Sequence, residues 1–153
     1  VLKLKEKFEV EIKINFRYGH RLLKDKTSKC FNLHGEGGVA TVVLEREKLD
    51  EFDKVVDFGN TKKLIKSLID ERYDHAMLLN CDDVDLITYI SNMGLKYLIL
   101  QSDPTAERIA EQIYWDVSSI LDEILSTGVV LTRVGVQESF EDSIAWYYGQ
   151  VKV

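Results

Sequence analysis

The stretch Phe8-Glu9-Val10-Glu11-Ile12-Lys13-Ile14-Asn15-Phe16-Arg17 decides the fold class. Phe8, Val10, Ile12, Ile14 and Phe16 alternate with charged or polar residues, and successive strand side chains point to opposite faces. The reading is a half-buried β-strand. A break follows from Tyr18 to Gly38, with the polar run Lys24–Lys29 in its middle. Val39–Leu44 is a β-branched run that predicts a second strand. Gly37-Gly38 just before it predicts a bulge or turn at positive φ.

Further along, Leu64, Ile65, Leu68 and Ile69 give one apolar helical face, predicting a helix over Asn60–Arg72. Asp82-Asp83 can cap a shorter helix that runs to Asn92 and is stopped by Gly94. Tyr97–Leu100 is a short buried strand. Pro104-Thr105 opens the longest helix, expected to reach Ser126, with Ile109, Ile113, Val117, Ile120, Leu121 and Ile124 as its stripe. Gly128 marks the stop. Val129–Gln137 and Ile144–Val153 are the closing strands. Strand pairs at both ends with helices between predict an α+β fold, an antiparallel sheet covered by helices on one face.

The chain has 153 residues, 45% hydrophobic and 30% charged, with a net charge of −6. That predicts a single domain over 1–153, with enough apolar material for a core. The acidic balance and the lack of basic clusters argue against a nucleic-acid partner. No apolar run approaches the ~18 residues of a membrane span, and Val1-Leu2-Lys3-Leu4-Lys5 is too short and charged for a signal peptide. Two cysteines, Cys30 and Cys81, make no disulfide framework, so a reducing, cytoplasmic setting is expected.

Three histidines carry the chemical signal: His20, His34 and His75. His34 and Glu36 stand at i and i+2, on one face of an extended backbone, and His20 ends the neighbouring strand. Two imidazoles and a carboxylate suit a catalytic zinc ion, or a non-haem iron; the alternative is three polar residues near strand ends. Cys30, four residues before His34, is either an activated thiolate or a small buried hydrophobe. Asp74 can orient His75. Glu138 ends a strand and can grip a guanidine-like ligand edge by two parallel hydrogen bonds, or be a solvated start to the acidic stretch with Glu141 and Asp142. Glu107 is either a site residue or a favourable charge at a helix N-terminus.

Taken in chain order, Phe16-x-x-x-His20, Cys30-x-x-x-His34-Gly35, Asp57-Phe58, Asp74-His75-x-x-x-x-Asn80, Pro104-Thr105-x-Glu107 and Glu138 resemble the 6-pyruvoyltetrahydropterin synthase / 6-carboxytetrahydropterin synthase family. The match runs from about Phe8 to the C-terminus. The Cys-x-x-Leu-His-Gly form and the Asp74-His75-Ala76 segment are most similar to the bacterial 6-carboxytetrahydropterin synthase branch. The resemblance implies a tunnelling fold: a four-stranded antiparallel sheet with two long helices on one face, assembled into barrel-shaped trimers or hexamers. It also implies an active site at a subunit interface.

By the same resemblance His20, His34 and the residue two after it hold Zn²⁺. Cys30, Asp74 and His75 move protons, and Glu138, with Thr105 and Glu107, binds the pterin. The implied substrate is 7,8-dihydroneopterin triphosphate. The implied product is the 6-carboxy compound, in 7-deazaguanine (queuosine-type) biosynthesis, with the 6-pyruvoyl product as the alternative. This chain departs from the pattern at three positions. Glu36 stands where the family has a second His of His-x-His, which widens the choice of divalent metal and leaves open a non-catalytic pterin binder. Gly37-Gly38 lacks the aromatic often found just after that motif. Tyr18 replaces a small residue two before His20.

Overall fold

In the computed structural model, residues 5–138 and 142–149 are described. Glu141 and the last part of the expected final strand, 150–153, lie outside the described residues. The elements are β1 (Phe8–His20), β2 (His34–Arg46), α1 (Phe58–Arg72), β3 (Ala76–Asn80), α2 (Val84–Asn92), β4 (Tyr97–Leu100), α3 (Ala106–Ile120), α4 (Asp122–Leu125), β5 (Val130–Glu138) and β6 (Ile144–Tyr148).

One six-stranded sheet has the order β4-β3-β1-β2-β5-β6. β1, β2, β5 and β6 pair antiparallel, whereas β3 joins β1 and β4 joins β3 in parallel. The sheet is therefore mixed and not the four-stranded antiparallel one expected. β3 was missed because Ala76-Met77-Leu78-Leu79-Asn80 is short and continuously apolar, without the period-two signal of a half-exposed strand.

Alternation along β1 holds to its end: Ile12, Ile14, Phe16, Tyr18 and His20 are buried, while Lys13, Asn15 and Arg17 are exposed. The same parity runs through β2, where Ala40, Val42 and Leu44 are buried. This inner face packs on Ile65, Leu68 and Ile69 of α1 and on Ile109, Ala110, Ile113 and Val117 of α3. Leu64, expected on that stripe, is part-exposed at the flank. Burying such a branched side chain stabilises by about 1.5–3 kcal/mol, so the helices are fixed over one face of the sheet. Within that core the Tyr73 hydroxyl donates to Asp116, which also accepts from Arg72.

Two local expectations change. The helix expected to reach Ser126 breaks at Leu121, which leaves the helical region with φ −96° and ψ 13°, and a separate turn α4 follows. Gly37 and Gly38 lie inside β2 and make no turn; the positive-φ glycines are Gly94 and Gly128. Gly38 is small for a different reason: a Cβ there would lie 2.8 Å from the Phe16 ring. Among the described residues no helix is long and apolar enough to cross a membrane.

Candidate metal centre and active site

At one end of the inner face the apolar column gives way to polar groups. Cross-strand register sets His20 opposite His34, Tyr18 opposite Glu36, and Phe16 opposite Gly38, which in turn faces Glu138 of β5. Directly opposed residues share a face, so His20, His34, Glu36, Tyr18 and Glu138 gather on one side of the sheet. Strand parity alone delivers this cluster, because every β1 and β2 member has an even number.

The ring nitrogens are committed. His20 Nδ1 lies 2.8 Å from the Pro104 carbonyl oxygen and His34 Nδ1 lies 2.6 Å from that of Asn32. A carbonyl only accepts, so each Nδ1 carries a proton and each Nε2 is the nitrogen left to bind an ion. Those Nε2 atoms are 3.0 Å apart, and Glu36 Oε1 is 3.3 Å from His34 Nε2. Facing lone pairs repel unless a cation or a shared proton lies between them. Burial pushes the His20 imidazole below its ordinary range, against the Pro104 carbonyl, which favours the neutral form. The three ligand atoms lie within 4.8 Å of one another. Two nitrogens bound at ~2.0–2.1 Å in a tetrahedron stand ~3.3 Å apart, so the set fits a divalent transition metal with an open side for a ligand.

The groups behind this cluster were not legible in the sequence. Asp103 is buried, and its carboxylate accepts from the backbone N–H of Leu23 (2.8 Å) and of Lys24 (3.0 Å) and from Asn80 Nδ2 (2.8 Å). Burial pushes that carboxyl up, but the Asn80 amide and the two backbone donors outweigh it and hold it below the usual carboxylate range. Asp103 thus ties the loop after β1 to the loop before α3, whose Pro104 carbonyl orients His20. Arg21 adds a bidentate pair with buried Asp83, at 2.6 Å for both contacts, and its guanidinium stands 4.9 Å over the Phe31 ring. An acidic residue directly before Pro104-Thr105 was the available signal for Asp103.

Cys30 sits in a single 3-10 turn, Lys29–Phe31, on the tied-down loop. It is half-buried, its N–H donates to Ser28 Oγ at 3.1 Å, and it is not one of the three clustered ligands. Thr105 caps α3, its hydroxyl accepting from the Arg108 N–H at 3.2 Å, and Glu107 is exposed in the first turn. Glu138 is half-buried and accepts from the Tyr18 hydroxyl at 3.2 Å. Burial, then the Glu138 charge, pushes the Tyr18 phenol up, so it stays a donor.

Asp74 and His75 lie elsewhere. Asp74 Oδ2 is 2.7 Å from His75 Nδ1, and Asp74 Oδ1 accepts from the Arg17 N–H at 2.8 Å. His75 has φ +57°, a left-handed conformation that is uncommon outside glycine, though His enters it more often than most residues. It is held by its own N–H donating to the Arg17 carbonyl at 2.6 Å and by Lys96, which caps the Asp70 and Asp74 carbonyls. Strain retained by such a framework is a marker of functional positions. The His75 ring is exposed beside a cavity of about 610 Å³ lined by Arg17, Tyr18, Gly19, Gly35, Glu36, Gly37 and Met77. Of the strand residues there, Arg17, Gly19, Gly35 and Gly37 carry the parity of the outer face, whereas Tyr18 and Glu36 carry that of the inner one. One cavity thus borders both Glu36 of the ligand cluster and His75.

Comparison with known proteins agrees with this architecture. A family model described as 6-pyruvoyl tetrahydropterin synthase matches residues 9–150. The 6-carboxy-5,6,7,8-tetrahydropterin synthase of Rickettsia conorii is 38% identical over 66% of this chain and 73% of its own. That of Aquifex aeolicus is 30% identical over 76% of this chain and 83% of its own. An uncharacterized protein from Wolinella succinogenes superposes with a TM-score of 0.79 at 21% identity, covering 95% of this chain and 99% of that one. The 6-pyruvoyl tetrahydropterin synthase of Caenorhabditis elegans superposes at 0.66 with 24% identity, over 95% and 97%. With the match extending from β1 past β6, the chain belongs to the 6-pyruvoyl tetrahydropterin synthase family.

Proposed function

We propose that this chain is a metal-dependent lyase that converts 7,8-dihydroneopterin triphosphate and water to 6-carboxy-5,6,7,8-tetrahydropterin, with release of triphosphate and acetaldehyde. The observation that carries the reading is the pair of Nδ1-committed imidazoles whose Nε2 atoms face each other at 3.0 Å beside Glu36. The names of the Rickettsia and Aquifex relatives support the choice of product.

In this reading His20, His34 and Glu36 hold Zn²⁺, and the carboxylate in place of a third imidazole also admits other divalent metals. When bound, the ion supplies Lewis acidity toward side-chain oxygens of the substrate. Glu138 accepts the 2-amino and ring N–H edge of the pterin through two parallel hydrogen bonds, with Thr105 and Glu107 beside it. Cys30 moves a proton on one side of the substrate side chain. His75, oriented by Asp74, moves one on the other. Asp74 and His75 are not among the clustered ligand groups of their own chain, and in this reading a second copy of the chain brings its pair to this site. The protein is accordingly a homo-oligomer, a trimer or hexamer, working in the cytoplasm on the route to 7-deazaguanine nucleosides.

The test is mass spectrometry of the products from purified protein and dihydroneopterin triphosphate, with Zn²⁺ and with other divalent metals. The 6-carboxy product with acetaldehyde is expected. The 6-pyruvoyl product would assign the other activity of the family, and no product with any metal would leave a pterin binder.

A further inference from the structure

One large side chain at the polar end of the inner face is used by neither the ligand set nor the proton-moving groups. Tyr18 is 3% exposed. Its ring stacks on Phe16, with centroids 5.2 Å apart and planes 23° from parallel. Both rings cross from β1 over Gly38: a Cβ built there would lie 2.8 Å from Phe16 and 3.1 Å from Tyr18. β2 has no side chain at that point because β1 has filled the place. The missing side chain at Gly38 and the ring at Tyr18 are thus two sides of one packing arrangement across the strand pair.

From position 18 the phenol donates to Glu138 Oε1 at 3.2 Å, and the ring stands edge-on to His20 with centroids 5.1 Å apart. Tyr18 therefore touches both a metal-ligand candidate and the carboxylate that ends β5. A carboxylate has about four acceptor sites, so one hydrogen bond from Tyr18 leaves Glu138 able to take two more from a ligand. The bond costs Glu138 its rotational freedom, and a fixed acceptor binds a planar N–H edge more tightly than a mobile one.

The geometry points to Tyr18 as the positioning residue for Glu138, fixing the angle and distance of the pterin edge relative to His20, His34 and Glu36. This rests on the reading of Glu138 as the pterin anchor.

The experiment measures binding of 7,8-dihydroneopterin, which lacks the triphosphate, by fluorescence titration of the metal-loaded protein. Tyr18→Phe keeps the ring and removes the hydroxyl. Its binding is expected to weaken ~10-fold, as for loss of one hydrogen bond to a charged group, with metal content and melting temperature unchanged. In a Glu138→Gln background the same change is expected to add little, because Tyr18 acts through Glu138. Equal binding by the native protein and Tyr18→Phe overturns the inference and leaves the pterin reading standing. No binding by the native protein removes the pterin reading, and this inference with it. Loss of metal in Tyr18→Phe makes the residue structural and overturns the inference.

Discussion

The two histidine sites of this chain are built in opposite ways. His20 is buried, its tautomer is fixed by a loop carbonyl, and its free nitrogen meets a second imidazole and a carboxylate within the same subunit. His75 is exposed, and among the described residues its ring is oriented by Asp74, while its backbone is held at positive φ by β1. The first arrangement suits a group that must grip an ion without rearranging. The second suits one that must reach something outside its own subunit. One sheet serves both because its strands present alternate residues to alternate faces.

The sharpest way to break this contrast is to remove one site at a time. His20→Ala should lose stoichiometric metal and lower turnover by ~10³-fold or more, since a metal Lewis acid contributes several kcal/mol to the barrier. Elemental analysis and product formation check this, and retained metal would take His20 out of the ligand set. His75→Asn should lower kcat by ~10²–10³-fold, within the range of a general acid–base group, while metal content and melting temperature stay as in the native protein. Cys30→Ala should likewise abolish turnover with the oligomer intact by size-exclusion chromatography. Mixing subunits of His20→Ala and His75→Asn sharpens the contrast further. If the two sites meet only across subunits, reassembled mixtures should regain part of the activity that each variant lacks alone.

Smaller effects are expected from the supports of the buried site. Asp103→Ala leaves the N–H groups of Leu23 and Lys24 and the amide of Asn80 without their acceptor. A loss of ~3 kcal/mol is expected, read as a fall in melting temperature of several degrees. The smallest effect is in acid. Asp103 is held below its ordinary pKa of 3.8, so its contribution to stability is complete above that value and disappears as pH falls through the lower folded-state value. Melting curves between about pH 5 and pH 2 should show this limb, and Asp103→Asn should flatten it.

Much of the candidate site was legible because it lies on alternating strands. The parity that marks Ile12, Ile14 and Phe16 as buried also carries Tyr18 and His20 inward, and the spacing of His34 and Glu36 sets both on one face. Placing the end of the strand at Phe16 hid Tyr18, which is as much a part of the inner face as the residues before it. The role of Gly38 was misread for a related reason. Glycine in sequence signals backbone freedom, but here it signals two rings arriving from the next strand, a fact of packing. β3 escaped notice because a strand buried on both faces loses its periodicity.

The sequence by itself determined the α+β class, the two long helices and their buried stripes, and the identity of the three ligand candidates, since local periodicity and residue chemistry are written into consecutive positions. Only the tertiary structure decided that Pro104 and Asn32 lend carbonyls to the imidazoles, that Asp103 joins two loops 80 residues apart at Leu23, and that Arg17 and Asp74 hold His75 at positive φ. Those relations depend on which strand lies beside which and in what register, and long-range pairing leaves no local pattern to read.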